Sequence, residues 1–202
     1  MPNWCSNSIA FYQEDDGNAM LEAFYADVQK YQDYKDPETG KHSDWVGHWL
    51  QSNRINTENL YSRGFFSNCE FNDSHVRIDM ETAWGPLQEV WDLMADKYEL
   101  AYVYISEESG CEVYVNTDFA GRFFTTRYLL NYFDVDDLRL DADTMAEYGE
   151  RLRELGDETT YYDSWDEVLD DFKEFGFKAD DVNGLNERLA RFGIRVYEYS
   201  NE

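Results

Sequence analysis

Val76-Arg77-Ile78-Asp79-Met80-Glu81-Thr82-Ala83-Trp84-Gly85-Pro86 is the stretch whose reading decides the fold. Val76, Ile78, Met80, Thr82 and Trp84 alternate with Arg77, Asp79, Glu81 and Ala83. A period of two assigns the first set to a buried sheet face. Gly85-Pro86 stops the strand, and Pro suits the first turn of a helix, where its missing N–H has no partner to lose. Leu87, Val90, Trp91, Met94 and Ala95 then recur at helical spacing and predict an amphipathic helix over 86–98. Leu100 to Ile105 is almost wholly apolar or aromatic, the pattern of a strand covered on both faces. Glu107-Glu108-Ser109-Gly110 supplies a turn, and Cys111 to Asn116 reads as the returning strand. Strand, helix, strand and hairpin partner define an α+β chain, with an antiparallel or mixed sheet carrying helices on one face.

Outward toward the N-terminus, residues 1–12 read as a first strand with Trp4, Ile9 and Phe11 as apolar anchors. A helix over 18–35 places Met20, Leu21, Phe24, Val28 and Tyr31 on one side, and Glu22, Asp27, Lys30 and Asp33 on the other. Asp36-Pro37-Glu38-Thr39-Gly40 is a loop signal. Residues 43–53 read as a short helix through Trp45, Val46, Trp49 and Leu50. The segment 56–73 reads as irregular and aromatic, with room for a short hairpin strand.

Three motifs carry a resemblance. The opening Met1-Pro2-Asn3-Trp4-Cys5-Ser6-Asn7, the step Trp84-Gly85-Pro86 before a helix, and the turn within Tyr104 to Gly110 resemble the YubB-type ferredoxin-like domain of plasmid and phage proteins. The resemblance covers about residues 1–130. It implies a ferredoxin-like domain over 1–133, with an insertion at about 36–73, and a mobile-element setting. It transfers no catalytic residues.

Residues 118–133 read as continuing the sheet, with Phe119-Ala120-Gly121 as a turn and 122–133 strand-like. Composition then shifts. Residues 134–202 hold 21 acidic and 8 basic side chains, whereas the first 133 hold 22 and 9, so charge density nearly doubles. Helical stripes run through Met145, Tyr148, Leu152 and Leu155, through Trp165, Val168, Leu169 and Phe172, and through Val182, Leu185 and Leu189. Ser164 and Glu167 form a capping-box pattern at the second. Residues 194–199 alternate as a closing strand. The tail is therefore expected to be an acidic, mainly helical extension ending in a strand.

The whole chain of 202 residues has a formal net charge of −26 and a pI near 4.2. Such a field repels nucleic acid and anionic membranes and attracts basic surfaces. No run of about 18 apolar residues suggests a membrane span, and the N-terminus carries no secretion-signal pattern. With three widely spaced cysteines, Cys5, Cys69 and Cys111, the expected setting is a reducing cytoplasm. His42, His48 and His75 lack metal-site spacing, and no nucleophile or phosphate-loop motif occurs. Glu107, Glu108 and Glu112 around Cys111 disfavour a thiolate there, so a core or edge-strand cysteine is expected.

No cofactor, no metal and no enzymatic activity are expected. What remains is the acid surface itself. Carboxylates on a rigid helix can imitate a phosphate backbone, and the mobile-element setting suggests a host defence nuclease complex as target. The expected partner is a basic nucleic-acid-binding host protein. Asp163, Asp166, Glu167, Asp170 and Asp171 would meet it, with Tyr162 or Trp165 as apolar anchors. Two alternatives stay open: an accessory binding module with a different partner, and a metal-dependent enzyme.

Overall fold

The computed structural model describes residues 3–14, 18–32, 34, 35, 37, 40, 43–132, 159–190 and 193–201. They fall into two compact units, one reaching to Phe119 and the other running from Ala120 to Asn201. The break thus lies ahead of the 133/134 shift in composition.

The first unit runs β1 (Trp4–Tyr12), α1 (Ala19–Gln32), α2 (Val46–Ser52), β2 (Gly64–Asn72), β3 (His75–Ala83), α3 (Gln88–Tyr98), β4 (Ala101–Glu108) and β5 (Val113–Asn116). The strands form one sheet in the order β2-β3-β1-β4-β5, antiparallel at every step. Register puts Ile9 opposite Ile78 and Tyr104, and Phe11 opposite Val76 and Tyr102. One face is therefore continuously apolar. Against it pack Leu21, Phe24 and Val28 of α1, Trp49 and Leu50 of α2, and Val90, Trp91 and Met94 of α3. Each such large side chain contributes about 1.5–3 kcal/mol when fully buried.

Several expectations are corrected here. The segment 56–73 contains a nine-residue strand, β2, which forms one edge of the sheet and is integral to it. Its alternation is hidden in the sequence by a register shift between Phe66 and Asn68, an irregularity that moves Phe66 and Cys69 onto the same face. Helix α3 starts at Gln88 with Leu87 at its N-cap, so Pro86 lies before the helix and not in its first turn. Strand β4 is covered mainly on one face, through Tyr104, Ser106 and Glu108, and it runs into the segment read as a turn. Trp4 and Met20 are exposed and anchor nothing in the core. Asp27, on the polar side of α1, is half-buried. It accepts hydrogen bonds from Trp49 Nε1 (3.0 Å), Tyr98 Oη (2.7 Å) and Lys97 Nζ (3.0 Å), which ties the three helices together.

The second unit contains β6 (Tyr128–Tyr132), β7 (Thr160–Tyr162), α4 (Trp165–Phe172), a 3-10 turn (Lys173–Phe175), α5 (Val182–Leu189) and β8 (Ile194–Glu198). The strands make a separate antiparallel sheet in the order β7-β6-β8, so the segment after Arg122 does not continue the first sheet. Leu130, Tyr162, Val168, Phe172, Leu185, Leu189 and Val196 share its core. As described, this unit is a small sheet with two helices of eight residues each. The stripe from Met145 to Leu155 lies outside the described residues.

Candidate interaction surfaces

Helix α4 is built as its sequence suggests. Val168 and Phe172, one turn apart, are buried, and Trp165 packs on Tyr128 with ring centroids 5.6 Å apart. Ser164 caps the helix, its Oγ accepting from Glu167 N at 3.3 Å. The Glu167 carboxylate accepts in turn from Asp163 N at 2.9 Å, one residue ahead of the cap. With one side of the helix committed to the core, Asp163, Asp166, Glu167 and Asp170 stand exposed. Asp166 and Glu167 also favour the positive end of the helix dipole. Lys173 partly offsets Asp170, at 3.2 Å. Beside the helix runs a groove of about 500 Å³, lined by Asp166, Leu169, Asp170, Lys173, Phe177 and Asp180 among others.

Four of the seven residues expected to meet a partner are thus together and accessible. Two others are not. Tyr162 is only 5% exposed, and its hydroxyl donates to Asp171 Oδ2 at 2.8 Å. Burial, and then this carboxylate, push the phenol far above its ordinary value. Tyr162 and Asp171 are therefore a structural pair, and the aromatic that faces outward is the neighbouring Tyr161. Trp165 is half-buried against the core. Alternation along β7 decides this, turning Tyr162 inward and Tyr161 outward.

Among the described residues, reactive groups do not converge. Cys5 and Cys69 are buried, and burial pushes both thiols up to about 12. Cys111 is exposed in the turn before β5, which corrects its expected placement in the core or an edge strand. The Glu108 carboxylate accepts from Gly110 N at 2.8 Å and Cys111 N at 2.6 Å. A hydrogen bond to Glu108, more than desolvation, raises the Cys111 thiol and keeps it protonated. Burial pushes Glu108 itself upward, but hydrogen bonds from Cys111, Gly110 and Asn3 outweigh it and hold the carboxyl below its ordinary value. His48 packs against Tyr34 with ring centroids 4.4 Å apart and planes tilted by 39°. Among the described residues no group of three or more His, Cys, Asp or Glu side chains is arranged to hold a metal. No helix among them is long and apolar enough to cross a membrane.

A second surface was not legible as one. The three motifs behind the family resemblance, far apart in the chain, meet at one corner of the first unit. Asn7, 1% exposed, donates through Nδ2 to Cys5 O (2.8 Å), Met80 O (3.1 Å) and Thr82 Oγ1 (2.8 Å), and accepts from Ser106 Oγ (2.7 Å). Thr82 Oγ1 passes the chain on by donating to Gly85 O at 2.7 Å. Asn3 O accepts from Trp84 N at 2.9 Å, and a Cβ at Gly110 would run into the Asn3 amide. The start of β1, the β3–α3 step and the turn after β4 are thereby held together.

The same corner exposes aromatics. Trp4, Tyr61 and Trp84 are 41%, 51% and 50% exposed. Trp4 faces Phe65 with centroids 5.7 Å apart, and the Arg63 guanidinium lies 5.7 Å from the Trp4 ring centre. Tyr61 Oη donates to Ala83 O at 3.4 Å, next to Trp84. Trp84, expected on the buried face of its strand, instead leaves the strand at φ +72°, a left-handed conformation that a bulky side chain rarely adopts.

No family model, no curated protein and no solved structure matches the chain.

Proposed function

We propose that the chain is a non-enzymatic protein of the YubB-type ferredoxin-like family of plasmids and phages, which binds a basic nucleic-acid-handling host protein and inhibits it in place of nucleic acid. The fold is compatible with the family. The strand order β2-β3-β1-β4, with α1 and α3 as the crossovers, is the order a ferredoxin-like β-α-β-β-α-β plan requires. In this reading α2 and β5 are additions, the second unit is the acidic extension, and the protein works in the cytoplasm without cofactor or metal.

The observation that carries the reading is the row of exposed carboxylates formed by Asp163, just ahead of the α4 cap, and Asp166, Glu167 and Asp170 on α4. Successive turns of a helix repeat about every 5.4 Å. That is the same order as the spacing of phosphates along one DNA strand, about 3.4 Å of axis per charge. The net charge of −26 makes direct nucleic-acid binding unfavourable and a basic protein partner favourable.

The test uses the full chain immobilised and exposed to host proteins that bind phosphocellulose. The expected result is a retained protein that duplex DNA displaces and that rising salt releases. The four-fold variant Asp163→Asn, Asp166→Asn, Glu167→Gln, Asp170→Asn should lose it. Asp171 is left intact because Tyr162 depends on it. Retention that ignores both DNA and the four substitutions overturns the proposal.

A further inference from the structure

We infer that the aromatic corner of Trp4, Tyr61, Arg63, Phe65 and Trp84 is a docking surface for arginine side chains of a basic protein partner. The inference rests on the proposed function only for the sign of the partner's charge.

Four observations point there. First, the corner is built of Trp, Tyr and Arg, the side chains that dominate binding energy at protein interfaces. Second, it spends conformational energy to show one of them. A bulky residue at positive φ is disfavoured, yet Trp84 is held there by its bond to Asn3 and by the Thr82–Gly85 contact, with half its surface in solvent. Third, the Arg63 guanidinium near the Trp4 ring shows that this corner seats a planar cation against an aromatic ring, while Tyr61 and Trp84 keep about half their surface in solvent. Fourth, the surroundings are acidic. Glu81 lies between Phe65 and Ser6 in the sheet register, and Glu107 follows on the other side of Ser6. Desolvation holds the Glu81 carboxyl above its ordinary value, and an approaching cation would relieve that by favouring the ionised form. Phosphate groups would be repelled from such a corner, which excludes base stacking by nucleic acid. Guanidinium stacks on aromatic faces and is less strongly hydrated than ammonium, so arginine is favoured over lysine.

The probes are a six-repeat Arg-Gly peptide and a six-repeat Lys-Gly peptide of equal charge, titrated into the full chain. Affinity is read by anisotropy, and the indole N–H signals of Trp4 and Trp84 by NMR. The expected result is that the arginine peptide binds about two- to fivefold tighter and shifts both indole signals. Trp84→Gly, which removes the ring and suits the positive φ, should erase the preference. Tyr61→Ala should reduce it and serves as the second variant should Trp84→Gly fail to fold. The four-fold α4 variant should weaken both peptides alike and leave the preference, which separates this inference from the proposed function. Equal affinity for the two peptides, or unmoved indole signals, overturns it. So does a dimer in sedimentation that Trp84→Gly dissolves, because the occupant would then be a second copy of the chain.

Discussion

The two surfaces differ in how they are made. The acidic face of α4 comes from one contiguous segment, Asp163 to Asp170, whose charges are displayed because Val168 and Phe172 turn the other side of the helix inward. The aromatic corner comes from three segments, around Trp4, Tyr61–Phe65 and Trp84. Beneath it the side chain of Asn7 bolts the first to the end of β3, and bonds from Ala83 N to Arg63 O and from Tyr61 Oη to Ala83 O add the second. A face of the first kind tolerates change, since the contacts its carboxylates make, Glu167 with Asp163 N and Asp170 with Lys173, are exposed. A corner of the second kind depends on the core, and disturbing the bolt should move every ring. The first suits long-range attraction, which salt screens, and the second suits short-range retention.

The largest effect that can test this contrast lies in α3, the helix that the corner leads into. Trp91 is fully buried, with its ring 5.0 Å from that of Tyr104. Trp91→Ala should destabilise the first unit by about 3–5 kcal/mol in denaturant unfolding. Asn7→Ala comes next. It strips buried Ser106, Thr82 and two backbone carbonyls of a partner at once, at a cost of about 2–4 kcal/mol. The distinguishing readout is the Trp84 indole signal, which should shift although Trp84 is not altered. An unshifted signal would mean that the corner does not depend on the bolt.

Acid should act on the first unit through Asp27. Burial raises this carboxyl, but hydrogen bonds from Tyr98 and Lys97 outweigh it and lower the folded value below the ordinary 3.8. A depressed carboxyl contributes stability above its unfolded value and loses it as pH falls through the folded value. Unfolding followed downward from pH 5 should therefore show a decline that Asp27→Asn flattens. The smallest effect belongs to the acidic face. Asp170→Asn removes an exposed pair with Lys173 and also relieves repulsion from Asp166, so stability should change by less than about 0.5 kcal/mol. A larger loss would show that the face is structural after all.

Much of the architecture was legible because it rests on local periodicity. The alternation of Val76, Ile78 and Met80, the stripe of Val90, Trp91 and Met94, and the Ser164 cap all appear where the sequence puts them. Strand β2 was not legible, because the register shift at Phe66–Asn68 breaks the period of two within the strand. Tyr162 was misjudged for a related reason. With Thr160, Tyr161 and Tyr162 making a strand of three residues, there is too little alternation to tell the inward ring from the outward one.

The sequence by itself determined the α+β class, the charge of −26 and the sign of any partner that charge would attract, since these follow from composition and short-range pattern. Only the tertiary structure decided that Asn3 and Asn7, Thr82 and Trp84, and Ser106 to Gly110 share one corner. Pairing of β1 with both β3 and β4 brings residues some 75 and 99 positions apart into hydrogen-bond reach. The chain carries no local sign of that pairing, because register is set by the fit of whole strands across a common core.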